Sequence, residues 1–356
     1  MDLFDTLQTL TATAAPSGNE TAVADIITEL WQPYVNTITR DPLGNLIAIK
    51  HGQGPDPRPR LMLAAHMDEI ALMVKNIVQQ GQNGFLEVTN VGGVDRRHLY
   101  GQVVMVHSKR PLKGIIGALP DKMRPANRRG KTHTYDDLLV DVGLPYKTVQ
   151  ELVTIGDFIS FHQPLHKLQR QRVAGKALDN RASVTAVTAC LDYLNGRSHH
   201  WDLLAVATVQ EEIGLHGAFT SSHSLRPDAA IAIDVTFGKG PGATTHDAHD
   251  LGGGPVLDIG PNVHPGMYQA LKTTAETLEM TVQTGTHTRG SGTDGYALQI
   301  ARAGVPTGLI SIPLRYMHTM VESIDLQDVA RVGRLLGEFI ARLDDKFLDQ
   351  LAQELM

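Results

Sequence analysis

Two spacings of apolar residues alternate along this chain, and they divide it into segments of different character. Residues 2–12 and 20–32 carry apolar positions at helical intervals, broken by Pro16-Ser17-Gly18-Asn19, so a helical hairpin is expected at the start. Short strands are expected at Thr37–Arg40 and Asn45–Lys50, around the turn chemistry of Asp41-Pro42-Leu43-Gly44. Arg60–Ala65 is a continuous apolar run of the kind that a strand buried on both faces requires.

Between about residues 70 and 165 the texture changes to short β-like runs separated by Gly, Asn and Pro, which predicts a β-rich unit. From Ala182 onward strands and helices alternate. A helix is expected through Leu194, strands at Leu203–Val209 and Ala229–Val235, and a helix at Gly266–Met280. A strand at Thr281–Thr286, a helix at Thr293–Ala303, a strand at Thr307–Ser311 and a last helix from about Leu326 complete the series. Such alternation predicts a layered α/β domain built from both chain ends, residues 1–69 and 166–356, interrupted by the β-rich insert at 70–165.

The 356 residues are 42% hydrophobic and 20% charged, which fits a globular protein with a substantial core. The formal net charge of −6 argues against broad binding to nucleic acid or an anionic membrane, the basic stretch from Lys122 to Lys131 being a local exception. One cysteine, Cys190, excludes an intramolecular disulfide and any zinc site made of several thiolates. Acidic residues near Met1, where a leader needs basic ones, and the lack of an apolar run of membrane-spanning length predict a cytoplasmic location.

In an open α/β sheet, reactive groups collect beyond the C-terminal ends of the strands. There the chain carries His66 and Asp68, the pair Glu211-Glu212, Asp234 and His318, with Asp179 before a helix. Taken singly, a histidine after a strand is usually structural and an Asp before a helix is usually a cap. Together they offer imidazole and carboxylate donors to two divalent cations, one carboxylate bridging, and such centres carry out hydrolysis. Adjacent side chains leaving a strand point in different directions, so one of Glu211 and Glu212 can bind metal while the other stays free as a general base. Asp68 stands where it could orient the His66 imidazole.

Other motifs are decoys. Gly130-Lys131-Thr132 ends like a phosphate-binding loop, but Pro125 occupies its earlier glycine position. Gly252-Gly253-Gly254-Pro255 reads as a turn, and His246-Asp247-Ala248-His249-Asp250 as a solvated loop.

The segments APSGNE (15–20), DPLGN (41–45), AAHMDEI (64–70), GKALDNRAS (175–183), TVQEEIGLHGA (208–218), AIDV (232–235), SGTD (291–294) and IPLRYMHT (312–319) resemble, in order, those of the M42 family of dinuclear metallo-aminopeptidases. That family includes tetrahedral and glutamyl aminopeptidases. The resemblance implies an α/β catalytic domain with an inserted PDZ-like dimerisation domain. It implies His66 and Asp234 as ligands of one ion, Glu212 and His318 as ligands of the other, Asp179 as the bridge and Glu211 as general base, with Asp68 supporting His66. Two divalent ions per subunit are expected, zinc foremost, with cobalt and manganese also compatible. The implied activity removes single N-terminal residues from short peptides, inside a homododecameric shell built from dimers. Asp294 and Arg315 are weaker candidates for substrate contact. Asn180 and Gly295 depart from the usual family residues. A related amidohydrolase, either a carboxypeptidase or an N-acyl-amino-acid deacylase, and a scaffold that has lost its chemistry are the competing readings.

Overall fold

A computed structural model describes residues 1–243 and 248–354, so His246 and Asp247 lie outside the described residues. Helices α1 (Leu3–Ala12) and α2 (Thr21–Trp31) open the chain, followed by strands β1 (Thr37–Arg40), β2 (Leu46–Lys50) and β3 (Arg60–His66). Strands β4 (Ala71–Gln80), β5 (Asn83–Val91), β6 (Val103–His107), β7 (Pro111–Ala118), β8 (Leu138–Pro145) and β9 (Phe158–Phe161) then close a barrel in the order β4-β5-β8-β7-β6-β9. Helix α3 (Tyr146–Leu152) leads from β8 toward β9, and its Val149 packs with the barrel's own apolar interior of Leu72, Leu86, Val104, Ile116 and Val140. The change of texture read near residue 70 therefore coincides with the start of a separate hydrophobic core.

The second half begins with β10 (His166–Lys167), β11 (Arg172–Gly175), α4 (Leu178–Tyr193), β12 (Asp202–Thr208), α5 (His216–Leu225) and β13 (Ala229–Phe237). It continues through β14 (Val256–Ile259), α6 (Pro265–Thr277), β15 (Gln283–Thr286) and α7 (Asp294–Gln299). Strands β16 (Thr307–Leu314) and β17 (Glu322–Asp325) and helices α8 (Leu326–Arg342) and α9 (Phe347–Gln353) complete it. The main sheet has eight strands in the order β1-β2-β12-β3-β13-β16-β14-β15, with β12, β3, β13 and β16 mutually parallel. Strands β10, β11 and β17 form a small second sheet.

Both faces of the main sheet are covered, and the alternation along β3 shows how. Leu61, Leu63 and Ala65 pack into the core under α1, α2, α4 and α8, whereas Met62 and Ala64 face the core under α5 and α7. This two-sided burial explains why β3 reads as an unbroken apolar run. Helix α8 buries Val329, Val332, Leu336, Phe339 and Ile340 at helical intervals, and the Asp325 carboxylate caps it by accepting the Gln327 N–H at 3.0 Å. Helix α4 is buried along most of its length, between the sheet and α8.

Several elements differ from the sequence expectation. Strand β13 runs on to Phe237 because its parallel pairing with β16 continues to Phe237–Leu314, so Asp234 sits inside the strand rather than beyond its end. Helix α5 has no counterpart in the apolar pattern: its sequence HGAFTSSHSL is rich in Ser and Thr, whose hydroxyls favour other backbone shapes. The Ser221 and Ser222 hydroxyls instead donate back to the carbonyls of Gly217 and Ala218, at 2.7 and 2.6 Å. Strands β10, β11, β14 and β17 are too short to show a period.

Candidate metal centre

Strand β3 ends on His66, which is buried and directed toward the first turn of α4. Its Nε2 lies 3.1 Å from Asp179 Oδ1, and the other oxygen of the same carboxylate, Oδ2, lies 3.5 Å from His318 Nε2. Asp179 thus spans the two imidazoles. On the His66 side, Asp234 Oδ1 and Glu211 Oε2 are each 3.8 Å from Nε2. On the His318 side, Glu212 Oε2 is 3.5 Å from Nε2. The adjacent glutamates that leave β12 therefore face different histidines, as side chains leaving a strand end should.

These spacings have a simple geometric meaning. A tetrahedral ion with ligands at about 2.0–2.2 Å places its donors roughly 3.3–3.6 Å from one another, and the donor pairs here span 3.1–3.8 Å. Single donor atoms of His66, Glu211 and Asp234, and again of His66, Asp179 and Glu212, approach one another within 4.8 Å. The donor set of two imidazoles and four carboxylates fits divalent cations.

Electrostatics support the same fit. Burial, together with the neighbouring charges of Asp234, Asp294 and Glu212, pushes the Glu211 carboxyl up to about 10 despite the opposing effect of His66. Burial and Asp179 push Glu212 up to about 8, and burial also carries Asp234 well above the usual carboxylate range. The hydrogen bond to Asp179 raises His318 to about 9, against the pull of its own burial. So many carboxylates facing one another out of water either hold protons or share cations.

Asp68 is buried behind the centre, its Oδ1 3.4 Å from His66 Nδ1. The same carboxylate accepts the Ser17 hydroxyl at 2.5 Å and the main-chain N–H groups of Glu211 and Glu212 at 3.1 and 3.2 Å. One group thus lies beside the histidine and fixes the strand end that presents both glutamates. Burial opposes its charge, but His66 and Ser17 still hold its carboxyl below the ordinary value.

Glu322 acts similarly and escapes sequence reasoning. Buried on β17, it accepts the Asp179 N–H at 3.1 Å and the His318 N–H at 3.0 Å. His318 itself lies in a turn with positive φ, against Gly93 from the segment that follows β5. A Cβ at Gly93 would come within 2.6 Å of the imidazole Nδ1, so this close approach of barrel to centre needs glycine.

A cavity of about 530 Å³ opens onto these groups, lined by His66, Asp179, Glu211, Glu212, Asp234 and His318 on one side. Phe237, His287, Ser291, Ser311 and Met317 also line it. Neither weaker candidate does. Asp294 is buried and accepts the Thr208 hydroxyl at 2.5 Å, with burial pushing its carboxyl up to about 6. Arg315 donates through Nε to the Lys239 carbonyl.

The profile of the M42 glutamyl aminopeptidase family matches residues 44–335. The lysyl aminopeptidase of Pyrococcus furiosus is 35% identical over 325 residues, 90% of this chain and 91% of the relative. A TET aminopeptidase from a marine-sediment Thaumarchaeota archaeon superimposes with a TM-score of 0.92 at 30% identity, covering 98% of both chains. The TET1 peptidase of Pyrococcus horikoshii, described as assembling into a tetrahedron or a large octahedral shell, gives a TM-score of 0.84 at 30% identity, over 96% of this chain and all of the other.

Proposed function

Because the chain belongs to the M42 glutamyl aminopeptidase family and is a hydrolase acting on peptides, we propose that it removes single N-terminal residues from short peptides at a dinuclear metal centre with Glu211 as general base. The observation that carries this reading is the Asp179 carboxylate, which offers one oxygen toward each histidine. His66 and Asp234 would hold one ion, Glu212 and His318 the other, and Asp179 both. When bound, a pair of divalent cations, zinc foremost with cobalt or manganese also compatible, supplies Lewis acidity that polarises a peptide carbonyl and acidifies water near neutral pH.

The chain's own residues then have distinct tasks. Glu211 takes a proton from the attacking water and returns it to the departing amine. Its raised affinity for protons, moderated by nearby positive charge, suits a group that must do both. Asp68 keeps the His66 imidazole oriented, and through the two N–H groups it accepts, it keeps Glu211 and Glu212 in register with the histidines. A cavity of about 530 Å³ leaves room for substrate beside the centre.

The same reading divides the chain into a catalytic domain of residues 1–69 and 166–356 and an inserted dimerisation domain of 70–165. The barrel's separate core supports that division. The assemblies described for similar structures support self-association into a homododecamer. No helix among the described residues is long and apolar enough to cross a membrane, which fits the cytoplasmic setting proposed for it.

The decisive experiment assays aminoacyl p-nitroanilides and their N-acetylated forms with the metal-loaded protein. Cleavage only when the amine is free supports the aminopeptidase. Release of acetate from the N-acetylated forms would replace it with a deacylase, and release of the C-terminal residue from an unmodified tripeptide would replace it with a carboxypeptidase.

A further inference from the structure

Two segments prominent in the sequence, APSGNE at 15–20 and DPLGN at 41–45, supply no proposed metal ligand and line no part of the cavity. Their last residues, Glu20 and Asn45, are nevertheless buried, and they reach the exit of β12 from 190 and 164 positions away in the chain.

The pairing of β12 with β3 ends at Thr208 and His66. The next four main-chain N–H groups leave the sheet in succession, and each is received by a buried side-chain oxygen. Val209 donates to Asn45 Oδ1 at 3.0 Å and Gln210 to Glu20 Oε1 at 3.2 Å, while Glu211 and Glu212 donate to the two oxygens of Asp68. Gln210 has a φ of 55°, in the left-handed region, which a residue with a side chain keeps only where its surroundings impose it. This reversal immediately precedes the two glutamates of the centre.

Both outlying acceptors are themselves held. Glu20 Oε1 also takes the Gly18 N–H at 2.7 Å, which folds the carboxylate back over its own segment. The Asn45 amide donates through Nδ2 to Asp41 Oδ2 at 2.6 Å and to the Gly217 carbonyl at 3.1 Å, so Oδ1 is the atom that faces Val209. A Cβ on Gly217 would collide with that oxygen, so the close approach of α5 needs glycine.

We propose that Glu20 and Asn45 are positioning residues: they hold the turn at 209–212 so that Glu211 meets the attacking water and Glu212 meets its metal ion. For Glu211 the proposal rests on the aminopeptidase reading, and for Glu212 on the metal centre alone. A misplacement of about 1 Å at a reacting group can cost about 100-fold in rate, so small shifts of this turn are felt in the chemistry.

The test uses the metal-loaded full chain, an aminoacyl p-nitroanilide and three variants, with the melting temperature of each recorded. Glu20→Gln keeps an oxygen for the Gln210 N–H, Glu20→Met keeps the length of the side chain without that oxygen, and Asn45→Ala removes the acceptor of Val209. Well below its melting transition, Glu20→Met should lose about tenfold or more in kcat with KM little changed. Competition with a chelator should show metal affinity weakened by about 10–100-fold. Asn45→Ala should follow it, and decides the question if Glu20→Met does not fold, whereas Glu20→Gln should stay close to wild type in both measurements. A loss of kcat alone assigns the effect to Glu211 and a loss of affinity alone to Glu212, and either supports the proposal. Wild-type kcat and wild-type affinity in either folded variant, whatever its melting temperature, overturn it, as does a loss in Glu20→Gln equal to that in Glu20→Met. If loaded wild type cleaves no aminoacyl substrate, the aminopeptidase reading falls, and the affinity measurement still decides whether these residues hold the turn.

Discussion

Glu322, which lines no part of the cavity, receives the main-chain N–H of Asp179 on its Oε2 at 3.1 Å. Its Oε1 receives the N–H of His318 at 3.0 Å, so one buried side chain fixes the backbone beneath two proposed ligands. Removing it in Glu322→Ala should weaken metal affinity by about 10–100-fold, the usual range for groups that orient metal ligands. Competition with a chelator of known affinity, read by metal analysis, checks this. Unchanged affinity in a folded variant would show that the turn holds its shape alone.

Glu211→Gln keeps the size of the side chain and removes its basicity. The expected outcome is a loss of about 10²–10⁴ in kcat with two metals still bound, since general-base catalysis accounts for rate factors of that order. Near wild-type turnover in the loaded variant would reassign the base.

Stripped of cations, the protein should lose stability as pH rises from about 5 to about 9. Glu212, at about 8 against an ordinary 4.5, and Glu211, at about 10, bind protons more tightly when folded. His318, at about 9 against 6.5, does the same. Raised folded-state values give stability that is complete below the unfolded values and is lost as pH climbs through the folded ones. The depressed Asp179 group adds a contribution that is constant across this window. Melting curves with and without chelator check the sign: the metal-free midpoint should fall with pH, and loading should remove most of that fall. A metal-free midpoint that climbs from pH 5 to 9 would contradict it.

The Trp31 indole donates to the Thr188 hydroxyl at 2.9 Å, both residues being buried, and this bond ties α2 to the helix that carries Asp179. Thr188→Val preserves shape but leaves the indole N–H without its acceptor, which should cost about 1–3 kcal/mol. Denaturant unfolding of the metal-free protein measures it, and a change near zero would mean that the indole finds another acceptor.

Most of the residues proposed as metal ligands were legible because they stand at or just beyond the end of an apolar strand or at the start of a helix, where the sheet's chemistry gathers, whereas Asp234 lies inside β13. The barrel was legible as a change of spacing. Other parts of the site were not, for a physical reason. Glu322 works through the backbone of residues 143 and 4 positions away. His287 and Ser311 meet only through Asp258, whose strand of four residues shows no period. Asp294 looks like a substrate contact in the motif SGTD, yet folding turns its carboxylate inward to Thr208. Sequence spacing reports which elements form, while the direction of a side chain depends on neighbours brought from elsewhere in the chain.

Strand β12 lies between β2 and β3 in the main sheet, and β3 lies between β12 and β13. The residues before and after the barrel are therefore interleaved strand by strand. A single proteolytic nick in the exposed connection between β7 and β8 would leave two polypeptides, one ending His66's half of the centre and the other carrying Asp179, Glu212, Asp234 and His318. Neither piece could complete the main sheet alone, and each supplies the edges that the other lacks. Expressed as separate fragments, the two halves should find each other, with hydrolysis returning only when the pair has reassembled.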